Sequence, residues 1–279
     1  MFKCPVCKQT LNQEESRFIC DQAHSFDKAK EGYVNLLLVQ NKKSLNPGDE
    51  KGMVVSRRDF LSKGFYDVLV KTLQQQLCGL ASHQKQLSML DIGCGEGYYL
   101  RNITEQLRKT GIIERVNATG IDISKPAIQQ AAKQDNSNTQ YLVGSSHDLP
   151  IENQSQDLVL NIFAPLDIQE TLRVLQPGGL LVKIVPGPKH LFGLKQHIYQ
   201  TPCYHEEDEA VPTGFSIESC KLVKGHLSLE NSIDIKNLLA MTPYYWNISQ
   251  TTSAQINRLQ QLETAIEFFI NIYKKQQLT

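Results

Sequence analysis

Apolar residues recur at helical spacing from about Val55 to Leu80, at Phe60, Leu61, Phe65, Val68, Leu69, Leu73 and Leu77. Gly64 interrupts the stripe, so two helices with a break between them are predicted. Beyond Leu80 the pattern changes to short apolar runs. Leu87–Ile92, Ala118–Ile123, Thr139–Val143, Leu158–Phe163 and Leu180–Val185 read as strands. Between them lie helical stretches at Gly97–Arg108, Pro126–Lys133 and Ile168–Leu175. Ser124 suits the N-cap of the second, and Pro177-Gly178-Gly179 stops the third. Strands alternating with helices of this length predict an α/β chain: a doubly wound, mostly parallel sheet covered on both faces. The last ninety residues carry a weaker signal. Leu227–Leu229 reads as a strand, Ser232–Leu239 as a helix, and Gln255–Tyr273 as a helix or a pair of strands.

The N-terminus follows neither period. Residues 1–35 are turn-rich and cysteine-bearing, and residues 36–55, with the turn signal Asn46-Pro47-Gly48-Asp49, read as a linker to a main domain of residues 56–279. Cys4-Pro5-Val6-Cys7 is followed after twelve intervening residues by Cys20 and, after three more, by His24. Two tight turns, each offering a pair of ligands, converge on a four-coordinate structural zinc ion, and such a site staples a segment too small to build a core. The competing reading, a redox CxxC beside an unrelated Cys and His, calls for a thioredoxin-like strand–helix junction, and this segment has none. Cys78, Cys94, Cys203 and Cys220 are scattered, unlike a secreted disulfide framework. No apolar run approaches 18 residues, so no membrane association is expected and the expected location is cytoplasmic. The net charge is zero, which excludes a general polyanion binder, although residues 1–63 hold eleven Lys/Arg against eight Asp/Glu.

Asp91-Ile92-Gly93-Cys94-Gly95-Glu96-Gly97 closes the first predicted strand and opens a helix, the position at which a doubly wound sheet binds nucleotides. Glycines let the backbone turn sharply and approach a ligand. Carboxylates accept from ribose hydroxyls and attract cationic groups. A second acid, Asp122, closes the next strand. A pyrophosphate loop favours a third glycine placed for a helix N-terminus. The acid-first form here instead resembles Class I S-adenosylmethionine-dependent methyltransferases, as does Gln176-Pro177-Gly178-Gly179. That resemblance implies a Rossmann-like domain in which Asp91, Gly93, Gly95 and Gly97 hold the amino-acid end of S-adenosylmethionine and Asp122 its ribose. Such enzymes often carry Asp where this chain has Ser145, so the adenine contact falls to Ser146, His147 or the backbone.

Four further stretches narrow the resemblance. Phe26 to Leu37, Asp91 to Tyr99, Pro186-Gly187-Pro188-Lys189-His190-Leu191 and Met241-Thr242-Pro243 are similar to bacterial 23S rRNA (guanine-N1)-methyltransferases of the RlmA type. The similarity runs from Cys4 to about Trp246. It implies one zinc ion on Cys4, Cys7, Cys20 and His24, cofactor contacts from Tyr66, Gly95, Glu96 and His190, a 23S rRNA substrate and a homodimer. The target base would enter beside Asn161-Ile162-Phe163-Ala164-Pro165: Phe163 is a candidate to stack on it, Asn161 to hydrogen-bond it, and Asp167 a candidate base or a helix N-cap. Lys28, Lys30, Lys42, Lys43, Arg57 and Arg58 are candidates for phosphate contacts or simply solvated charges. Three alternatives stay open: methylation of another rRNA nucleotide, of the macrolide-resistance type; methylation of a small molecule; and a non-catalytic zinc-bearing RNA-binding protein.

Overall fold

The computed structural model describes residues 1–41, 44, 47–80, 85–111, 113–206 and 210–276; Lys42, Lys43 and Asn46 lie outside them. The chain begins with a four-stranded antiparallel meander of Phe2–Lys3 (β1), Thr10–Gln13 (β2), Arg17–Ile19 (β3) and Ser25–Asp27 (β4). A two-residue strand, Val34–Asn35 (β5), follows, then the helices Lys51–Leu61 (α1) and Asp67–Leu80 (α2). The central units are Gln86–Ile92 (β6), Tyr98–Lys109 (α3), Arg115–Asp122 (β7), Lys125–Gln134 (α4), Gln140–Val143 (β8), Gln156–Ile162 (β9), Ile168–Val174 (α5) and Leu175–Pro186 (β10). Phe192–Ile198 (α6), Phe215–Leu229 (β11), Ser232–Ala240 (α7), Gln250–Ile256 (α8) and Leu262–Lys275 (β12) complete the chain.

The eight-stranded sheet runs β11-β12-β10-β9-β6-β7-β8-β5. From β5 to β10 neighbours are parallel, and β12 is antiparallel to both β10 and β11. The order reverses between β6 and β9, so a crevice opens at their carboxyl ends. Ser124 caps α4, accepting from Ala127 N at 3.2 Å. Helix α5 ends at Val174, and Pro177-Gly178-Gly179 lies inside β10, where the pairing with β9 shifts register between Leu175 and Leu180.

The C-terminal region departs from expectation. Gln255–Tyr273 is neither a helix nor a strand pair: α8 ends at Ile256, and one long strand, β12, follows. Between β10 and β11 the strand is buried along much of both faces, so its apolar run loses the alternation that marks a strand. Its partner β11 starts at Phe215, twelve residues before Leu227.

The meander is joined to the sheet by backbone pairing and by shared core. Lys3 N donates to Pro150 O at 3.0 Å and Glu152 N to Met1 O at 3.1 Å, while Lys8 pairs with Asp148 at 2.7 Å. Phe2, Leu11 and Phe18 belong to one apolar cluster with Ile121, Leu142 and Ile151. Val34 stands opposite Leu142, and Leu36 N donates to Val143 O at 2.9 Å. Helix α1 starts at Lys51, inside the stretch read as a linker. The other face of the sheet is covered by α2 and α3, whose buried stripes include Leu69, Leu73, Leu77, Leu100 and Ile103. No helix among the described residues is long and apolar enough to cross a membrane.

Candidate cofactor site and metal centre

Two knuckles at the base of the meander bring Cys4, Cys7, Cys20 and His24 together. Each turns through a left-handed residue, Lys8 (φ 61°) and Ala23 (φ 60°). Lys8 N donates to Cys4 O at 2.9 Å and Ala23 N to Cys20 O at 2.8 Å. The four ligand atoms all lie within 4.8 Å of one another. Cys7 Sγ is 3.5 Å from Cys20 Sγ, and His24 Nδ1 is 3.3 Å from Cys20 Sγ and 3.7 Å from Cys4 Sγ. Tetrahedral zinc with metal–sulfur bonds of about 2.3 Å requires ligand separations of about 3.8 Å. The donor set fits one closed structural ion.

The glycine turn occupies the crevice between β6 and α3. Gly93 (φ 76°), Gly95 (φ 57°) and Gly97 (φ 79°) are all left-handed. Gly93 also admits no side chain, since its Cβ would stand 2.3 Å from Ala164 Cβ. Asp122 braces the turn: its carboxylate accepts from Gly95 N at 2.9 Å and from Ser124 N at 2.7 Å. Asp91 is 1% exposed, and its Oδ1 has no hydrogen-bond partner. Burial, with the charge of Asp122 behind it, pushes its pKa up to about 8. A buried acceptor left over beside a glycine turn is what a cationic ligand group would satisfy. The residues therefore fit S-adenosylmethionine, whose amino and sulfonium charges match such an acid. Glu96 is different. It is buried with its carboxylate held by Arg101 at 3.1 Å, so that side chain is spent inside the protein.

This arrangement carries a pH prediction. Asp91 holds a proton in the free protein between its ordinary value of 3.8 and about 8, whereas the unfolded chain has lost it. The group therefore lowers stability progressively as pH rises through that window. Pairing with the cofactor's positive charge would reverse this and expel the proton. Calorimetry at about pH 6.5 in buffers of different ionisation enthalpy is expected to show release of up to about one proton per cofactor bound. Asp91→Asn is expected to remove that release, and equal release from both proteins would refute the assignment.

Ser146 and His147 lie in the turn after β8, where His147 Nδ1 donates to Asp167 at 3.1 Å. Asp167 is the N-cap of α5, accepting from Glu170 N at 3.0 Å. That backbone bond, then the His147 bond, holds its carboxyl below the usual range, which makes it a weak base. Asn161 is buried, and its amide nitrogen donates to Ile92 O at 3.2 Å and to Pro165 O at 3.4 Å. It fastens the end of β9 to the end of β6. Phe163 is the group displayed: 42% exposed, in a left-handed backbone (φ 55°), with its ring stacked on His190 at 6.2 Å.

Tyr66 and His190 meet although 124 residues separate them, with Tyr66 Oη 3.5 Å from His190 Nε2. Both pack on Phe268 of β12. His190 Nδ1 accepts from Glu267 N at 3.3 Å, which places the imidazole proton on Nε2. Burial first, then the charges of His205 and Lys195, lowers its pKa to about 3, so it is neutral. His205, with Nε2 3.2 Å from Tyr244 Oη, completes an aromatic wall that no local sequence pattern announces. Of the phosphate candidates, Arg58 pairs with Asp59, Lys28 lies over the Phe18 ring, Lys30 is exposed, and Arg57 reaches the glycine turn.

The sheet order, the glycine turn and the Cys3His knuckles define an S-adenosylmethionine-dependent methyltransferase with a zinc ribbon. Residues 2–45 match the family model of the RlmA N-terminal zinc ribbon, and residues 89–179 match that of a methyltransferase domain. The chain thus pairs an RlmA-type N-terminal zinc ribbon with a methyltransferase domain. It is 28% identical to the "Putative 23S rRNA (guanine-N(1)-)-methyltransferase YxjB" of Bacillus subtilis, over 99% of this chain and 97% of that one. It is 31% identical to the 23S rRNA (guanine(748)-N(1))-methyltransferase of Streptomyces fradiae, over 68% of this chain and 64% of that one. A Micromonospora griseorubida relative, "Putative 23S rRNA (guanine-N(1)-)-methyltransferase", is 28% identical over 69% of this chain and 68% of its own length.

Proposed function

We propose that the protein transfers a methyl group from S-adenosylmethionine to nitrogen 1 of a guanosine in 23S rRNA. The observation that carries this reading is Phe163, an aromatic ring held exposed in strained backbone at the mouth of the cofactor crevice. The names of the relatives supply the nucleic acid and the atom.

The cofactor supplies an electrophilic methyl group. Asp91 and Asp122 would hold its polar ends, and Phe163 would stack the unpaired target base beside the crevice. Asn161 keeps the Phe163 loop registered on the glycine turn. His190, neutral with its proton on Nε2, is not the base, and the proton that must leave nitrogen 1 would pass to solvent water at the open edge of the crevice. Residues 1–35 serve as an RNA-recognition module, residues 36–55 connect it to the methyltransferase domain of residues 56–279, and the protein works as a homodimer in the cytoplasm.

The test is rRNA from a strain lacking the gene, incubated with protein and cofactor and read by primer extension. A new stop at a guanosine of the large-subunit RNA is expected; its absence would remove the RNA assignment. Phe163→Ala is expected to lower kcat/KM for rRNA by about 10- to 100-fold, the worth of one stacked base, with cofactor affinity unchanged.

A further inference from the structure

Arg57 reaches the cofactor crevice from outside the nucleotide-binding motif. It sits on α1, and a Cβ built on Gly95 would stand 3.8 Å from its Nη1. The guanidinium is held on two sides. Nη1 donates to the carboxylate of Asp49, and Nη2 donates to Met241 O at 3.3 Å. Asp49 is itself fixed: its carbonyl accepts from Ser124 Oγ at 2.7 Å, and a Cβ on Gly48 would meet Ser124 Cβ at 2.8 Å. The segment ahead of α1 is thus pressed onto the residues just after Asp122, and it aims Arg57 at the glycine turn.

The charges around that turn are mismatched to the cofactor unless Arg57 takes part. Asp91 and Asp122 suit the amino, sulfonium and ribose groups, but S-adenosylmethionine also carries a carboxylate. Arg101, also at this turn, is committed to Glu96, donating to its carboxylate at 3.1 Å and to its carbonyl at 2.6 Å. Arg57 offers five N–H donors in a planar fork, and the two bonds described leave others for a carboxylate.

We infer that Arg57, oriented by Asp49 and the Met241 carbonyl, binds the methionine carboxylate of S-adenosylmethionine. The inference rests on the methyltransferase reading and adds to it a residue outside the glycine motif. It also gives the segment before α1 a part in the cofactor site.

The test is calorimetry on the full-length, zinc-loaded protein with two ligands, S-adenosylmethionine and its decarboxylated analogue, which keeps the sulfonium and amine. The wild type is expected to prefer the carboxylate-bearing ligand by about 10-fold or more, as a charge-assisted hydrogen bond provides. Arg57→Met is expected to weaken S-adenosylmethionine by about 10- to 100-fold and the analogue by less than about threefold, so the preference disappears. The assignment is overturned if Arg57→Met retains the wild-type preference, or if a folded Arg57→Met, checked by its melting curve, loses both ligands equally. Unchanged cofactor affinity with lost rRNA affinity would make Arg57 a phosphate contact instead. Should Arg57→Met not fold, Arg57→Lys decides: a reduced preference supports the assignment, an intact one overturns it. If the wild type binds neither ligand, the methyltransferase reading itself fails.

Discussion

Gly93→Ala is expected to abolish cofactor binding while leaving the zinc ribbon intact. Two independent penalties act at this position. The backbone is left-handed (φ 76°), and the new methyl would stand 2.3 Å from Ala164 Cβ. The turn cannot slide away, because Gly93 N donates to Ile121 O at 2.8 Å and Cys94 N to the same carbonyl at 3.1 Å. The left-handed conformation costs about 1–2 kcal/mol and the overpacking about 1–3 kcal/mol. Together they displace either the glycine turn or the Phe163 loop, and each movement opens the site. Titration with S-adenosylmethionine should give no heat, with a lowered melting temperature and unchanged metal content. Adding Ala164→Gly removes the collision but not the backbone penalty, so the double variant should recover part of the affinity. Binding by Gly93→Ala at wild-type strength would show that the two loops do not approach as described.

Cys20→Ser should strip the zinc and, with it, rRNA methylation. Cys20 is buried between Cys7 and His24, so its loss removes a ligand from the middle of the set. The meander has strands of two to four residues and few large apolar side chains of its own, principally Phe2, Leu11 and Phe18. Metal binding, worth about 10–16 kcal/mol in small zinc modules, is what holds such a segment folded. Metal analysis should fall from one zinc per chain to a trace, and an early melting transition should appear. Cofactor binding should persist, since the glycine turn belongs to another part of the sheet. Full zinc occupancy in the variant would exclude this ligand set.

The elements read well where their periodicity was local. The α1–α2 break, the parallel strands, the Ser124 cap and the two knuckles all follow from residues close in sequence. β12 did not, because a strand buried on both faces has the same run of apolar residues as a buried helix. The site divided in the same way. Asp91, Asp122 and the glycines form a contiguous or strand-linked signature. Tyr66 and His190 are legible only through family resemblance, since their contact depends on both packing against Phe268 of β12 and on the chain returning after more than a hundred residues. Arg57 was legible as a cation but not as a cofactor neighbour: its partners, Asp49, Met241 and Gly95, lie on three separate segments. Asn161 and Glu96 show that a polar residue in a motif can be consumed by the scaffold, one on carbonyls and the other on Arg101.

Strand β5 gives metal loss a wider consequence. Its two residues shield the outer rim of the sheet, covering the backbone groups of Leu142 and Val143. A ribbon that melts on demetallation would release this short cover and leave β8 with open N–H and C=O groups. Such a rim recruits strands from neighbouring molecules. Zinc starvation should therefore show itself as self-association of otherwise folded catalytic domains, detectable by light scattering before the domain itself unfolds.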